Sequence, residues 1–228
     1  MPQLSEKPRR ALVFDLDGTL VDSAPDLHVA VNCVLSENNR KIVTVDDVKF
    51  MIGDGVKVLM DRAFRATGVG IPEEELGVYA CRFLDFYEGH DADLSTVYPG
   101  VIDTLEILRD AGYAMGVCTN KPQRASDEVL EKLGLRSFFT TVIGGDVQEA
   151  WRKPDPRHLE ATLKAMGADK TNAVMIGDHQ NDVDTANGLG VPSVAVSYGY
   201  ARLPVTELGA SVVIDSFAEL PAILAKLP

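Results

Sequence analysis

The stretch ALVFDLDGTLVDS, residues 11–23, runs from four apolar residues straight into Asp15 and Asp17. A short, continuous apolar run of this kind reads as a strand buried on both faces, as in a parallel sheet. It ends on two carboxylates one residue apart, which the pleat turns to the same side, where they repel each other. The simple reading is a strand running into a polar turn, with Gly18 making the bend, since Asp and Gly are ordinary turn residues. What the other strands end on decides between a turn and a site.

Three further runs have the same buried character: YAMGVC (113–118), AVMI (173–176) and SVAV (193–196). TTVI (140–143) and SVVI (211–214) read as weaker edge strands. Amphipathic segments lie between them. VIDTLEILRDAG places Val101, Leu105 and Leu108 on one face with Gly112 to end it, and SDEVLEKLG carries Asp127 and Glu128 near its start and Gly134 beyond its end. Strands alternating with helices predict an α/β, doubly wound, Rossmann-like parallel sheet with helices on both faces.

One interval breaks the alternation. From about Pro25 to Pro99 no convincing strand is found, only helix-compatible segments such as DLHVAVNCVLSENN, VKVLMDRAFRATG and EELGVYACRFLDFYEG. The expected organisation is an α/β core of residues 1–22 and 98–228 with an inserted α-helical cap of residues 23–97. The links fall near Asp22–Pro25 and Val97–Gly100.

Composition bounds the partners. Of 228 residues, 46% are hydrophobic and 25% charged, and 22 basic against 34 acidic residues give a net charge of −12. That field repels nucleic acid and anionic membranes, so neither is expected as a partner, and an anionic substrate needs local cations or a metal to overcome it. Cys33, Cys81 and Cys118 are widely spaced and make no metal pattern, as expected of thiols in a reducing compartment. The basic pair Arg9–Arg10 precedes an apolar run too short for a signal-peptide core, and no stretch approaches the ~20 residues of a membrane span. A cytoplasmic location is expected.

In open α/β sheets, ligands bind outside the carboxyl ends of the strands where strand order reverses. The first strand is followed there by Asp15-Leu16-Asp17-Gly18-Thr19, YAMGVC by Thr119-Asn120-Lys121, and AVMI by Gly177-Asp178-His179-Gln180-Asn181-Asp182. A longer loop after TTVI brings Arg152-Lys153-Pro154. Three or four carboxylates brought together cannot all stay ionised without a cation, and oxygen ligands suit Mg²⁺. Thr119, the amides around Asn120 and the Lys153 ammonium can hold phosphoryl oxygens. Asp15 can then attack phosphorus, while Asp17 protonates the leaving oxygen and later activates water.

These residues also carry a resemblance. DLDGTLVDS, a helical segment inserted after it, TNKP, GGDV followed by KPDP, and GDxxxD occur in one order along nearly the whole chain. In this the sequence resembles the haloacid dehalogenase superfamily of phosphohydrolases, most closely its phosphoglycolate phosphatase branch. The resemblance implies Asp15 as nucleophile and Asp17 as general acid/base. It implies Mg²⁺ held by Asp15, the Asp17 carbonyl and Asp178, with Asp182 behind. Thr119, Asn120 and Gly18 would meet the phosphoryl group, Lys153 would steady the transferring charge, and the substrate would be a small phosphorylated metabolite. His179 stands where the family commonly has Ser, and the simpler expectation is a ring pointing to solvent.

The insertion carries Gly53-Asp54-Gly55, which reads as a turn before a helix and, by resemblance, as a loop over the substrate. Lys57 and Arg62 are the candidate cap cations for a second anionic group, with a solvated helix face as the simpler reading of either alone. His28, His90 and His158 have no ligand spacing and receive no role. Trp151 reads as packing beside the Lys153 loop, and Tyr198-Gly199-Tyr200 as a segment bordering the site or, more simply, a plain loop.

Rival readings meet specific obstacles. As a calcium loop starting at Asp15, position 6 is Leu20 and position 12 is Asp26, neither of which fits. A dehalogenase has no use for Asp17 or a metal, and a phosphonate-cleaving relative would lack the acid at 17. A β-phosphoglucomutase-like sugar phosphomutase shares the first steps and is the runner-up, although the DGT spelling with Thr19 is closer to hydrolases. A pyrophosphatase, or a nucleotide or sugar phosphatase of the superfamily, remains the other alternative.

Overall fold

The ALVF run forms strand β1 (Ala11–Phe14), with every residue inaccessible to solvent. Leu12 and Phe14 face one side of the sheet, and Ala11 and Val13 the other. The computed structural model describes residues 10–147 and 151–227. The start of the α/β region, residues 1–9 with Arg9, lies outside the described residues.

β1 is flanked by β4 (Ala114–Cys118) and β6 (Ala173–Gly177), in register Ala11 with Ala114 and Ala11 with Ala173. With β5 (Thr141–Ile143), β7 (Ser193–Val196) and β8 (Val212–Ile214) they make a six-stranded parallel sheet of order β5-β4-β1-β6-β7-β8. Each expected strand is present, with ends shifted by at most a residue. The chain leaves β1 toward one edge and returns to build the other, so the order reverses beside β1. That is where an open sheet leaves a crevice at its carboxyl ends.

Helices cover both faces. Leu105 and Leu108 of α5 (Val101–Asp110) and Val129 and Leu130 of α6 (Gln123–Lys132) pack with Leu12, Phe14 and Phe217. On the other face Leu159 and Leu163 of α7 (Pro156–Ala165) and Ala186 of α8 (Gln180–Leu189) pack on Ala11, Val13 and Met175. Burying one such Leu or Phe side chain contributes about 1.5–3 kcal/mol. Gly112 (φ 81°) and Gly134 (φ 72°) end α5 and α6 at the expected places. The short α9 (Leu220–Leu224) closes the chain against the same face as α5.

Between β1 and α5 the chain forms α1 (Ala24–Glu37), α2 (Val45–Met51), α3 (Val56–Ala66) and α4 (Leu76–Tyr87). Thr44 starts α2 with a reciprocal cap: its hydroxyl oxygen accepts from the Asp47 N–H, and the Asp47 carboxylate from the Thr44 N–H. The reading of residues 25–99 as strandless needs one correction. Thr96–Val97 form β3, which pairs antiparallel with β2 (Val21–Asp22), Val21 opposite Val97 and Asp22 opposite Thr96. Two residues per strand are too few for a sequence period to register, and the pairing is set by the neighbouring entry and exit of the insertion.

Candidate active site

Asp15 follows β1, Thr119 follows β4 and Asp178 follows β6, so three adjacent strand ends open onto one crevice. The Asp15 N–H donates to the Ile176 carbonyl at 2.9 Å, which extends the strand pairing to the carboxylate itself. Asp15 Oδ1 accepts from the Leu16 N–H at 2.7 Å and lies 2.8 Å from Lys153 Nζ. Lys153 also donates to Asp182 Oδ1 at 2.6 Å, and Asp182 Oδ2 accepts from the His179 N–H at 2.9 Å. Asp178 is held by the Thr19 hydroxyl at 2.9 Å and the Tyr200 N–H at 2.7 Å.

Two glycines make room for Asp178. Gly18 has φ +86°, and a Cβ there would strike the Asp178 carboxylate, as would a Cβ at Gly199. The Gly18 N–H is spent on the Val21 carbonyl at 2.9 Å, so this glycine serves the turn and the aspartate rather than offering its amide to a phosphate.

Asp15, Asp178 and Asp182 are buried, with carboxylate oxygens within 4.8 Å of one another. Burial, and then the charge of Asp182, raise the Asp15 pKa to about 6 against the opposing pull of Lys153. Burial and then Asp15 push Asp178 well above the ordinary carboxylate range. Burial alone would lower Lys153, but Asp15 and Asp182 outweigh it and hold the ammonium charged. One lysine cannot neutralise three buried carboxylates. A hard divalent cation fits this all-oxygen set both in charge and in ligand type.

Asp17 turns away from that trio. Its Oδ1 accepts from the Ser23 hydroxyl at 2.6 Å, and Lys121 Nζ lies 3.2 and 3.3 Å from its two oxygens. Lys121 is buried and also donates to Tyr87 Oη of α4 at 2.8 Å. Burial would depress its pKa, but Asp17 and Tyr87 outweigh that and raise it.

The loop 52–55 closes over this crevice and is tied to the sheet-bearing part at several atoms. The Gly53 carbonyl accepts from Asn120 Nδ2 at 2.8 Å and Asn181 Nδ2 at 3.1 Å. Asp54 accepts from Asn181 at 2.7 Å and Arg202 at 2.6 Å, and pairs with Arg62 at 2.5 Å. Burial would raise the Asp54 pKa, yet these three donors hold it well below the usual range. Arg202 also donates to the Phe50 and Ile52 carbonyls at 2.8 and 2.6 Å. Beneath the loop lies a cavity of about 520 Å³, counting space open to solvent. Its walls include Asp15, Asp17, Thr119, Asn120 and Lys121 from the strand ends and Leu27, Val56, Leu59 and Phe83 from the insertion.

A family model described as Haloacid dehalogenase-like hydrolase matches residues 12–196. The chain belongs to that family.

A phosphoglycolate phosphatase of Caulobacter vibrioides is 43% identical over 97% of this hydrolase and 93% of its own length. One from Agrobacterium fabrum is 41% identical over 94% and 92%. The crystal structure of a Haemophilus somnus protein described as a predicted phosphoglycolate phosphatase superposes with a TM-score of 0.88 at 30% identity, covering 96% of this chain and 99% of that one. This hydrolase is an enzyme, a phosphatase.

Against its sequence, the hydrolase gathers Asp15, Asp17, Thr119, Asn120, Lys153, Asp178 and Asp182 at one crevice. Asn120 Nδ2 is committed to the Gly53 and Lys153 carbonyls, each at 2.8 Å. Neither candidate cap cation lines the cavity. Lys57 is exposed, and Arg62 is turned to Asp54 and the Met51 carbonyl. Helical periodicity alone does not say which face of α3 meets the site. His179 does not point to solvent: it is buried, caps α8 through Nδ1 to the Asn181 N–H (3.2 Å) and lies against Gly53. Burial and then the Arg202 charge lower its pKa to about 4, so the ring is neutral at pH 7. Tyr198-Gly199-Tyr200 is not a plain loop, since it supplies the Tyr200 amide to Asp178 and the Tyr198 hydroxyl to the Thr19 carbonyl at 2.9 Å.

Sequence reasoning missed Tyr87, His158, Asn181 and Arg202, and gave Lys121 no role. His158 Nδ1 accepts from the Lys153 N–H at 3.2 Å with Trp151 against its ring, so it positions the lysine loop. The signal for Lys121 was available: a lysine directly after a strand-end Thr-Asn faces the same crevice.

Proposed function

We propose that this phosphatase hydrolyses small phosphomonoesters through an aspartyl-phosphate on Asp15, with Mg²⁺ as its metal and 2-phosphoglycolate as its substrate. The observation that carries the reading is Asp15 at a strand tip, bonded to Lys153 and adjoining Asp178 and Asp182. The substrate follows the names of relatives at about 40% identity over nearly the full chain. Residues 1–22 and 98–228 act as the catalytic core and 23–97 as the cap. The isolated cysteines, all free thiols, agree with a cytoplasmic setting. Among the described residues no helix is long and apolar enough to cross a membrane.

Asp15, Asp178 and the Asp17 carbonyl would hold Mg²⁺, with Asp182 behind them; when bound, the ion neutralises charge on the carboxylates and the phosphoryl group. Lys153 keeps Asp15 oriented and meets the charge that builds on the phosphoryl oxygens. The Thr119 hydroxyl and the amide of Asn120 fix the phosphoryl group for in-line attack by Asp15 Oδ. Asp17 protonates the departing ester oxygen, then takes a proton from the water that splits the acyl phosphate. The loop 52–55 keeps bulk water from the first step.

The test measures phosphate release from 2-phosphoglycolate and other monoesters with Mg²⁺, with EDTA, and after Asp15→Asn and Asp17→Asn. Activity should vanish in EDTA and in Asp15→Asn, and fall by about 10²–10⁴ in Asp17→Asn. A trapped phosphoenzyme should map to Asp15. Full turnover without metal, or phosphate on another residue, would defeat the mechanism. Sugar isomerisation without phosphate release would favour the phosphomutase.

A further inference from the structure

Within the cavity the leaving group must lie beside Asp17, and the ammonium of Lys121 stands against that same carboxylate. Asp15, Asp17 and Lys121 are the charged residues in the cavity wall among the described residues, so Lys121 is its cation on the leaving-group side. Lys153, the other buried lysine of the site, is committed to two carboxylates at 2.6 and 2.8 Å. Lys121 is held differently. Its contacts to Asp17 are 3.2 and 3.3 Å, longer than the ~2.7–2.9 Å of a fully engaged charge-assisted bond, and nearly equal to the two oxygens. An ammonium carries three N–H donors. Tyr87 Oη takes one at 2.8 Å and the two Asp17 oxygens, at near-equal distance, can share a second, so the third is open to a ligand.

Tyr87 fixes where that donor is. Its hydroxyl donates to the Asp91 carbonyl at 3.2 Å and accepts from Lys121, and its ring centroid is 4.7 Å from the ammonium. The side chains of Leu27, Leu59, Phe83 and Leu84 in the same wall offer an anion nothing, and Gly55 and Val56 at the start of α3 bring backbone but no side-chain charge, so the charged donor is Lys121. Among the described residues no cation of the insertion lines this cavity.

We propose that Lys121, steadied by Tyr87, is the specificity residue that binds a carboxylate on the carbon next to the ester oxygen, selecting phosphate esters of short 2-hydroxy acids. This rests on the phosphatase reading and deepens it. A carboxylate so placed is only a few ångströms from the oxygen that Asp17 protonates, which is the distance scale on which Lys121 already stands from Asp17. Acid selection then resides in the loop after β4, and the insertion supplies a hydroxyl and an apolar enclosure. Longer diacids or sugar phosphates would meet the apolar wall with their polar groups unpaired, which is costly in a buried site.

The experiment compares kcat/KM for 2-phosphoglycolate and for ethyl phosphate, in which a methyl group replaces the carboxylate. The full chain with Mg²⁺ is assayed as wild type, Lys121→Met, Lys121→Arg and Tyr87→Phe. Both substrates will suffer in Lys121→Met through Asp17, so the readout is the ratio between them. The wild-type ratio should be large, fall about 100-fold in Lys121→Met, fall several-fold in Tyr87→Phe, and be partly kept in Lys121→Arg. Parallel losses that leave the ratio unchanged in all variants would overturn the proposal while leaving the substrate reading standing. A wild-type ratio near one would overturn the substrate reading itself, and the proposal with it. Should Lys121→Met fail to fold, Tyr87→Phe and Lys121→Arg decide the same question.

Discussion

Asp15 carries a charge that works against folding. Its carboxylate is buried beside Asp178 and Asp182 with one ammonium to share, and its pKa stands near 6 instead of 3.8. A carboxyl group whose pKa is raised on folding stabilises the folded state only where it is protonated, so its contribution appears as pH falls below 6 toward 4 and is absent above 6. The two-unit rise corresponds to about 3 kcal/mol of disfavoured charge at neutral pH. Asp15→Asn, which keeps the shape and removes the charge, should therefore unfold at higher urea than the wild type in EDTA at pH 7.5, by about 2 kcal/mol. The gap should narrow as pH is lowered from 7 to 5, and Mg²⁺ should restore the wild type far more than the variant. Equal stabilities in EDTA at pH 7.5 would show that the carboxylate is not held at a cost.

At the scale of elements, the loop 52–55 is where insertion and sheet meet, and Arg202 is its main tie, reaching two carbonyls and Asp54 at once. Arg202→Ala should lower kcat/KM for a small phosphomonoester about tenfold, because the closed loop becomes one arrangement among several. The sheet lies elsewhere, so the thermal midpoint should move little, and circular dichroism during heating checks this. The same contrast explains what was legible in the chain. Strands such as ALVF and SVAV declare themselves because burial on both faces demands unbroken apolar runs. The strand-end acids are legible because chemistry sits where those runs stop. The pairings of Arg202 with Asp54, Lys121 with Tyr87 and His158 with the Lys153 loop join residues from separate elements or across a turn, and no local period encodes them. Lys57 and Arg62 stay open in sequence for the related reason that their charge is visible there and their direction is not.

Among the described residues the apolar core is divided, with side chains packed on each face of the sheet and a separate group in the insertion. The insertion holds its own, around Leu35, Met60, Phe64 and Phe83, in which Ala125 and Tyr200 are the buried members from the sheet-bearing part. Asp15, Lys153, Asp178 and Asp182 all belong to that second part, and the two parts are joined through β2 and β3, which pair with each other. Geometrically these strands are the stem of a hairpin, and the four helices occupy the place of its turn. A host that tolerates a guest at a hairpin tip should tolerate its removal. Replacing residues 23–95 by Asn-Gly joins Asp22 to Thr96 by the two-residue turn such stems favour. The shortened chain should unfold cooperatively and still gain thermal stability from Mg²⁺, while losing turnover of 2-phosphoglycolate; an aggregating, metal-indifferent product would show that the host depends on its guest. If it folds, the stem is a grafting point at which lids of other shapes could be exchanged over an unchanged reaction centre.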